Sequence, residues 1–157
     1  MKIAMIGAGN LATNLAKALY AKGHEIIEVY SRTMESAREL ASCVEATPRN
    51  DINDVTCDAD IYILALKDSV LGDIIPPLCE GRIDSVFVHT AGSVSIDVFK
   101  GHAIRYGVVY PMQTFSKSRE MDFSIIPVFV EASDKETLGT LETLAYSVSD
   151  DVRRLDS

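Results

Sequence analysis

The stretch KIAMIGAGNLA at residues 2–12 decides the fold, because it joins an apolar strand to a helix through a G-x-G-x-x-A turn. Gly7 would permit the tight turn, and Gly9 would let the backbone approach a pyrophosphate. Ala12 is small enough for the helix to pack close to the strand. The unpaired N–H groups at the start of that helix would then face the anion, which is the layout of a dinucleotide-binding fingerprint.

The residues that follow support this interpretation of the glycine turn. Leu11, Leu15 and Leu19 recur at the spacing of one helix face, so they predict a helix packed on a sheet. Gly23 would end that helix, and a strand restarts over 25–30, which completes a βαβ unit of the expected length. The alternative is a structural glycine turn that binds no ligand.

Composition limits the classes of partner. A chain of 157 residues is long enough for one domain with a real core. Its formal net charge of −8 would repel nucleic acid and anionic membranes, so we expect a small-molecule substrate, no nucleic acid and no membrane. No apolar run reaches the roughly 18 residues of a membrane span, and the first strand leaves no room for a signal peptide. We therefore expect a cytoplasmic protein.

The cysteines and histidines predict neither a disulfide framework nor a metal site. Cys43, Cys57 and Cys79 are odd in number, widely spaced and without a C-x-x-C pair. The three histidines show no ligand spacing either. We expect no metal.

The rest of the chain alternates strands with helices, which predicts an α/β fold with a doubly wound, mostly parallel sheet of the Rossmann type. Thr33 and Asp68 are plausible N-caps, Pro76 and Pro77 should stop a helix, and residues 48–58 should form a loop or a brief helical turn. Ser133 and Glu136 have the spacing of a capping box. Further strands are predicted at 44–46, 60–66, 85–89, 106–110, 125–131 and 151–155, and helices at 34–42, 69–75 and 95–99 and after 133–136. No linker is apparent, so we expect residues 1–157 to be one dinucleotide-binding domain.

In an open α/β sheet the ligand lies outside the carboxyl ends of the strands, where the strand order reverses. The residues just after the strands are therefore the candidates for binding a cofactor. They are Gly7, Gly9, Asn10 and Leu11, then Ser31, Arg32 and Thr33, then Leu66 and Lys67, then Thr90 and Ala91, and finally Pro111.

The end of the second strand discriminates between NAD and NADP. An NAD site normally places Asp or Glu there to bind the ribose 2′-OH, whereas Ser31, Arg32 and Thr33 offer two hydroxyls and a guanidinium suited to a 2′-phosphate. Glu28 lies nineteen residues after Gly9, near the spacing of such an acid, but the strand continues past it. We predict NADP. The alternative is that Arg32 is a solvated surface residue and Thr33 only caps the next helix.

The catalytic acid or base is left unassigned, with His89, Ser93 and Gln113 as candidates. A histidine that ends the fifth strand could donate a proton to a carbonyl or imine, or it could simply bond to its own loop. Gln113 could offer an amide to a ligand, or could belong to a rigid polar loop. Asp68 could act as a plain N-cap. Redox chemistry carried by a cofactor requires neither a catalytic triad nor paired carboxylates.

Five motifs together resemble the N-terminal domain of oxidoreductases related to pyrroline-5-carboxylate reductase. They are IGAGNLA at 6–12, SRT at 31–33, ALKD at 65–68, HTAGS at 89–93 and YPMQTF at 110–115. The same Rossmann-like domain is shared by deazaflavin-dependent NADP reductases and 6-phosphogluconate dehydrogenase-like enzymes. The resemblance covers essentially the whole chain. Pyrroline-5-carboxylate reductases carry a Met-Pro-Asn loop where this chain has Pro111-Met112-Gln113, and a small or hydroxylated residue where it has His89, so a proline-type substrate is not expected.

The resemblance implies an activity and an architecture. Members carry a helical C-terminal domain that supplies substrate groups and dimer contacts, and this chain ends at Ser157, about where that domain should begin. We therefore expect an isolated cofactor domain with an incomplete active site, which would form a homodimer through the missing domain. The expected function is NADP-dependent hydride transfer to or from a C=O or C=N group of a small molecule. The alternative is a non-catalytic NADP-binding sensor or regulatory module.

Overall fold

The computed structural model describes residues 1–119 and 121–155, and in this part of the chain eight strands form one sheet flanked by helices. The strands are β1 (Lys2–Ile6), β2 (Glu25–Tyr30), β3 (Thr47–Arg49), β4 (Ile61–Leu64), β5 (Val86–His89), β6 (Arg105–Pro111), β7 (Val128–Ala132) and β8 (Val152–Arg154). The helices are α1 (Asn10–Ala21), α2 (Met34–Val44), α3 (Asp68–Cys79) and α4 (Lys135–Tyr146). Short 3-10 turns lie at Ile52–Asp54, Ile96–Phe99 and Phe123–Ile125.

The strand order is β3-β2-β1-β4-β5-β6-β7-β8, and every neighbouring pair is parallel except β6 with β7. The predicted doubly wound, mostly parallel sheet is therefore confirmed. The chain runs from β1 outward to β3 and then returns to place β4 on the other side of β1. The carboxyl ends of β1, β2, β4, β5 and β6 consequently meet at one edge, with the reversal of strand order between β1 and β4.

The core has one layer on each face of the sheet, because alternate strand residues point to opposite sides. In β1, Ile3 and Met5 join the cluster packed under α1, α2 and α4, while Ala4 and Ile6 join the cluster under α3. All four side chains are completely buried. Such burial on both faces explains why β1 reads as an uninterrupted apolar run.

The third strand lies at Thr47–Arg49, so the prediction of a strand at 44–46 was wrong. Val44 is still helical and is buried against the sheet at the end of α2. Glu45 then adopts a left-handed conformation with φ of 54°, and it ends the helix as a C-cap. Val44 fits the apolar pattern of a strand, but it packs instead as the last residue of α2.

The prolines at 76 and 77 do not stop α3, which continues through them to Cys79, contrary to prediction. Leu71, Ile75 and Leu78 are buried against the sheet on one face of this helix, and their packing outweighs the backbone hydrogen bonds that the prolines cannot donate. Asp68 is the first residue of α3, and the capping position belongs to Lys67, so the predicted N-cap was displaced by one residue.

The last third of the chain follows the predicted order with shifted boundaries. The strand predicted at 125–131 begins at Val128, after a 3-10 turn at Phe123–Ile125. The cap of α4 is Asp134 rather than Ser133, and its carboxylate accepts the Thr137 N–H at 2.7 Å. That bond lowers the pKa of Asp134. The final strand is confirmed at Val152–Arg154.

A buried polar network connects β2 and β3 with the segment before β4 and with the end of α3. The carboxylate of Glu28, 5% exposed, pairs with Arg49 Nε at 2.7 Å and accepts the Thr56 N–H at 2.6 Å. The guanidinium of Arg82, a residue 7% exposed, donates to backbone carbonyls. Its acceptors are Val55, Thr56 at 3.1 Å, Leu78 at 2.8 Å and Glu80 at 3.4 Å. The network fixes the irregular segment before β4, and through Arg49 it reaches the carboxyl end of β3.

In the described residues, no helix has both the length and the apolar character needed to cross a bilayer.

Candidate functional site

The turn after β1 requires glycine at its first position. Gly7 has a φ of +123°, and a Cβ built on it would lie 2.3 Å from the carbonyl oxygen of Ala65, at the end of β4. Its N–H donates to the Tyr30 carbonyl at 2.8 Å, at the end of β2. The turn is thus held between the ends of the two strands that flank β1.

The second glycine of the turn has open space around it. Gly9 is the N-cap of α1, is exposed, and has nothing within 4 Å of the position that a Cβ would occupy. The first N–H groups of a helix have no intrahelical acceptor. Because Gly9 has no side chain, it does not cap those of α1. Asn10 is exposed and Leu11 is half-buried at this opening. The arrangement can accept an anion at the helix N-terminus.

The end of β2 carries the residues predicted to distinguish the cofactors. Ser31 follows the strand, and its N–H donates to the Arg49 carbonyl at 3.0 Å. Arg32 is exposed, and Thr33 is the N-cap of α2, with its hydroxyl accepting the Ser36 N–H at 3.4 Å. Glu28 lies inside β2, as predicted, and its carboxylate is committed to the buried network. The edge therefore presents a guanidinium and hydroxyls at this strand end.

The loops after β4 and β5 complete the middle of the edge. The Leu66 side chain is half-buried and comes within 3.3 Å of the position of a Gly7 Cβ, while Lys67 is exposed at the start of α3. Thr90 is 6% exposed and Ala91 is half-buried. Ser93 is exposed, with its hydroxyl 3.4 Å from an Asp68 carboxylate oxygen.

His89 is completely buried, so its side chain does not face the edge. Its Nδ1 accepts the Ala91 N–H at 3.0 Å, and its ring stacks on Phe99 with centroids 5.9 Å apart. Burial is the largest influence on the imidazole and lowers its pKa below 6.5. Of the two interpretations open from the sequence, the bond to its own loop is present in the structure, and a catalytic role for His89 stays a prediction.

Acidification should destabilise the protein through His89. Because its pKa lies below 6.5 when folded, the unfolded chain takes up a proton just below pH 6.5 while the folded ring stays neutral. The His89 contribution to stability is thus retained above that pH and falls as the pH decreases towards the folded pKa. We expect the free energy of unfolding, measured with urea at about pH 7.5 and about pH 5.5, to fall less in His89→Leu than in the wild type.

The wild type, unfolded in parallel at both pH values, is the reference for this experiment. The pKa of His24 is also lowered by burial, so part of the pH dependence should persist in His89→Leu. An undiminished pH dependence in that variant would contradict the assignment.

The end of β6 packs closely on the β5 loop. Pro111 is buried, while Met112 and Gln113 are exposed beyond it. The Gln113 side-chain oxygen accepts the neighbouring Thr114 N–H at 3.0 Å. A Cβ on Gly92 would lie 2.5 Å from the Tyr110 ring. A side chain at position 92 would therefore require the Tyr110 ring to move, and Gln113 is exposed beside these loops.

Sequence reasoning missed Asn14, which ties the first helix to the loop after β6. The residue is 9% exposed, and its side-chain Nδ2 donates to the Asn10 carbonyl at 2.8 Å and to the Ser116 carbonyl at 3.0 Å. The only local signal was a polar residue on the apolar face of α1.

Two lysines near the glycine turn, Lys17 and Lys117, were also not predicted from the sequence. A cavity of about 50 Å³ between α1 and α2 begins at Ala8 in the glycine turn, and Lys17 and Lys117 contribute to its lining. Lys117 comes from the loop after β6, 100 residues from Lys17 in sequence, so no local pattern relates the two. Across residues 1–119 and 121–155, no three His, Cys, Asp or Glu side chains lie together as a metal site.

Comparison with known proteins agrees with this geometry. The family described as "NADP oxidoreductase coenzyme F420-dependent" matches residues 2–91, more than half of the chain. A Bacteroides fragilis protein, provisionally named an NADP oxidoreductase, is 52% identical over 99% of this chain, with a TM-score of 0.96. The pyrroline-5-carboxylate reductase of Coxiella burnetii, 22% identical with a TM-score of 0.79 over 99% of this chain, shares the fold. The glutamyl-tRNA reductase of Shouchella clausii is 41% identical over 63 residues, 39% of this chain.

The chain spans only part of these proteins. It covers 60% of the Bacteroides protein, 58% of the Coxiella reductase and 14% of the glutamyl-tRNA reductase. The resemblance seen in the five motifs is confirmed at the level of the family and of the Rossmann-like fold.

Proposed function

The chain belongs to the family described as NADP oxidoreductase coenzyme F420-dependent, and from this we propose that it binds NADP and serves hydride transfer to or from a C=O or C=N group of a small molecule. Residues 1–157 would act as the dinucleotide-binding domain. The nicotinamide would carry the hydride, and the chain would bind and orient it.

The observation that carries the choice of NADP is the end of β2. A 2′-phosphate needs donors and positive charge, while a ribose 2′-OH is usually bound by a carboxylate. Arg32 is exposed there between two hydroxyl residues, Ser31 and Thr33. The nearest carboxylate in the strand, on Glu28, is 5% exposed and already bonded to Arg49 and Thr56. In a chain of net charge −8, such a local cation is what an anionic ligand requires.

The remaining contacts follow the edge of the sheet in order. Gly9, Asn10 and Leu11 would bind the pyrophosphate at the start of α1, where the helix N–H groups are free to do so. The ribose and nicotinamide would lie across the loops after β4, β5 and β6. The residues proposed there are Leu66, Lys67, Thr90, Ala91 and Pro111. Gly7 supports the site by shaping its first turn. Ser93 and Gln113, both exposed, stay as candidates for substrate contact.

Titration with NADPH and NADH tests the proposal, with Arg32→Ala as the diagnostic variant. Loss of a charge-assisted contact to the 2′-phosphate costs about 1.5 to 3 kcal/mol, which is roughly a 10- to 150-fold rise in Kd. We expect this rise for NADPH and no change for NADH, measured by calorimetry or nucleotide fluorescence. Arg38→Ala is the matched control, because Arg38 is also exposed on α2 and its removal changes the net charge equally.

An equal loss for both nucleotides in Arg32→Ala would refute the 2′-phosphate assignment. A similar loss of NADPH affinity in Arg38→Ala would show that the effect comes from the net charge and not from a contact with the 2′-phosphate. Wild-type protein that binds neither nucleotide would refute the proposed function as a whole.

The second candidate is a non-catalytic NADP-binding sensor. Met112, an exposed apolar residue beside the site, could serve such a sensor as a contact for a partner. Hydride exchange with a panel of carbonyl, imine and deazaflavin acceptors separates the two functions. Turnover with any acceptor supports the oxidoreductase, and tight NADPH binding with no turnover by the full-length protein supports the sensor.

A further inference from the structure

The buried imidazole of His89 lies beneath the loop to which the proposed function assigns the nicotinamide half of the cofactor. We propose that His89 is a positioning residue, whose Nδ1 holds the Ala91 amide and so fixes the 90–92 peptide as the surface for the nicotinamide. This inference rests on the proposed function. It gives His89 a role through Ala91 and not through contact with the ligand.

The hydrogen bonds define the tautomer of the ring. Nδ1 accepts the Ala91 N–H at 3.0 Å, so it carries no proton, and the proton of the neutral ring is on Nε2. Nε2 is buried and has no hydrogen-bond partner in the described residues. The charged groups that influence the ring are Asp68 at the start of α3 and Glu131 on β7. The neutral backbone of Val94 and Ser95 also acts on it.

The same bond gives the loop a defined shape. A side chain that accepts the N–H two residues ahead forms the arrangement of an Asx turn, here made with an imidazole. The ring is held from the other side by Phe99, which is itself completely buried. Gly92 then packs against the Tyr110 ring, which would have to move to accommodate a Cβ. The segment 89–92 is therefore fixed at both ends.

The cost of the arrangement indicates what the imidazole contributes. Burying an N–H without a hydrogen-bond partner is unfavourable, and an apolar side chain would fill the same space without that cost. The Ala91 hydrogen bond is the contact that shapes the loop, and an apolar side chain cannot make it. We therefore assign His89 to the shape of its loop more than to filling the core.

Two variants separate positioning from packing. His89→Asn keeps an acceptor that can reach the Ala91 N–H as an ordinary Asx turn, and His89→Leu keeps bulk but has no acceptor. Both variants lose the ring stack on Phe99, so they are matched in that respect. Each is titrated with NADPH and with adenosine 2′,5′-bisphosphate, which has the phosphorylated adenosine half and no nicotinamide.

We expect His89→Leu to weaken NADPH binding by roughly tenfold, the effect of one hydrogen bond, with adenosine 2′,5′-bisphosphate changed less than about twofold. His89→Asn should restore NADPH binding to within about threefold of the wild type. Amide exchange at Ala91 should be slow in the wild type and in His89→Asn, and fast in His89→Leu. Long-range ¹H–¹⁵N spectra of the wild type should show a protonated Nε2 and a bare Nδ1, which requires no variant.

Equal weakening of both ligands in His89→Leu, or a protonated Nδ1 in the wild type, would overturn the proposal. So would unchanged NADPH binding in His89→Leu. The two binding outcomes presuppose a wild-type protein that binds NADPH, whereas the protonation of the ring is observed without it. Absence of that binding would instead overturn the proposed function, so the two failures are distinguishable.

Discussion

Gly7→Ala is expected to lower the free energy of unfolding by about 2 to 6 kcal/mol, a large part of the 5 to 15 kcal/mol of a typical domain. The alanine Cβ would lie 2.3 Å from the Ala65 carbonyl oxygen, a backbone atom that cannot move without displacing the end of β4. The φ of +123° adds strain for any residue with a side chain. Urea unfolding followed by circular dichroism measures the loss, since the chain has no tryptophan.

Gly9→Ala is the matched control, two residues away in the same turn. Its Cβ would enter open space at an ordinary φ of −78°, so the stability loss should be about 1 kcal/mol or less. The added methyl group would nevertheless lie where the pyrophosphate is proposed to approach, so NADPH binding should weaken. The opposite order of the two stability losses would contradict the close approach of Gly7 to Ala65.

Arg82→Met is expected to lower the free energy of unfolding by about 3 to 5 kcal/mol. Arg82 is 7% exposed, and its guanidinium donates to carbonyls of the segment before β4 and of the end of α3. Methionine fills the space of the aliphatic stem but removes the guanidinium donor from those carbonyls, of which that of Thr56 keeps the Tyr62 hydroxyl. The segment around Val55 and Thr56 should lose order first, and amide exchange resolves this.

Arg105→Met is the control for Arg82→Met. Arg105 is half-exposed and donates to a single carbonyl, that of Asp84, so its loss should cost less than about 1 kcal/mol. A similar small cost for Arg82→Met would show that water replaces the guanidinium at those carbonyls. A large cost confined to Arg82 would support the buried network.

Features that depend on neighbours in sequence could be predicted. The glycine turn, the strand before it and the placement of Glu28 inside β2 all follow from short patterns of size, polarity and spacing. The doubly wound, mostly parallel sheet followed as well, because strands that alternate with helices admit few topologies. The edge that gathers the candidate residues was therefore predictable from the order of elements alone.

Features set by distant contacts could not be predicted. The continuation of α3 through Pro76 and Pro77 depends on how firmly its apolar face packs on the sheet, and the proline rule describes an isolated helix. The position of His89 at a strand end was predictable, but its depth was not, because Phe99 covers the ring. The contact between Asn14 and Ser116 spans 102 residues and leaves no local signal.

That contact also determines which residues can replace Asn14. One amide nitrogen serves the Asn10 and Ser116 carbonyl oxygens, so the position needs two hydrogens on a short, planar group. Aspartate has the same shape but would set its oxygens against both carbonyls. Aspartate, the substitution closest to asparagine in size, would thus weaken the contact between the first helix and the loop after β6. Among side chains of this shape, only asparagine can donate to both carbonyls.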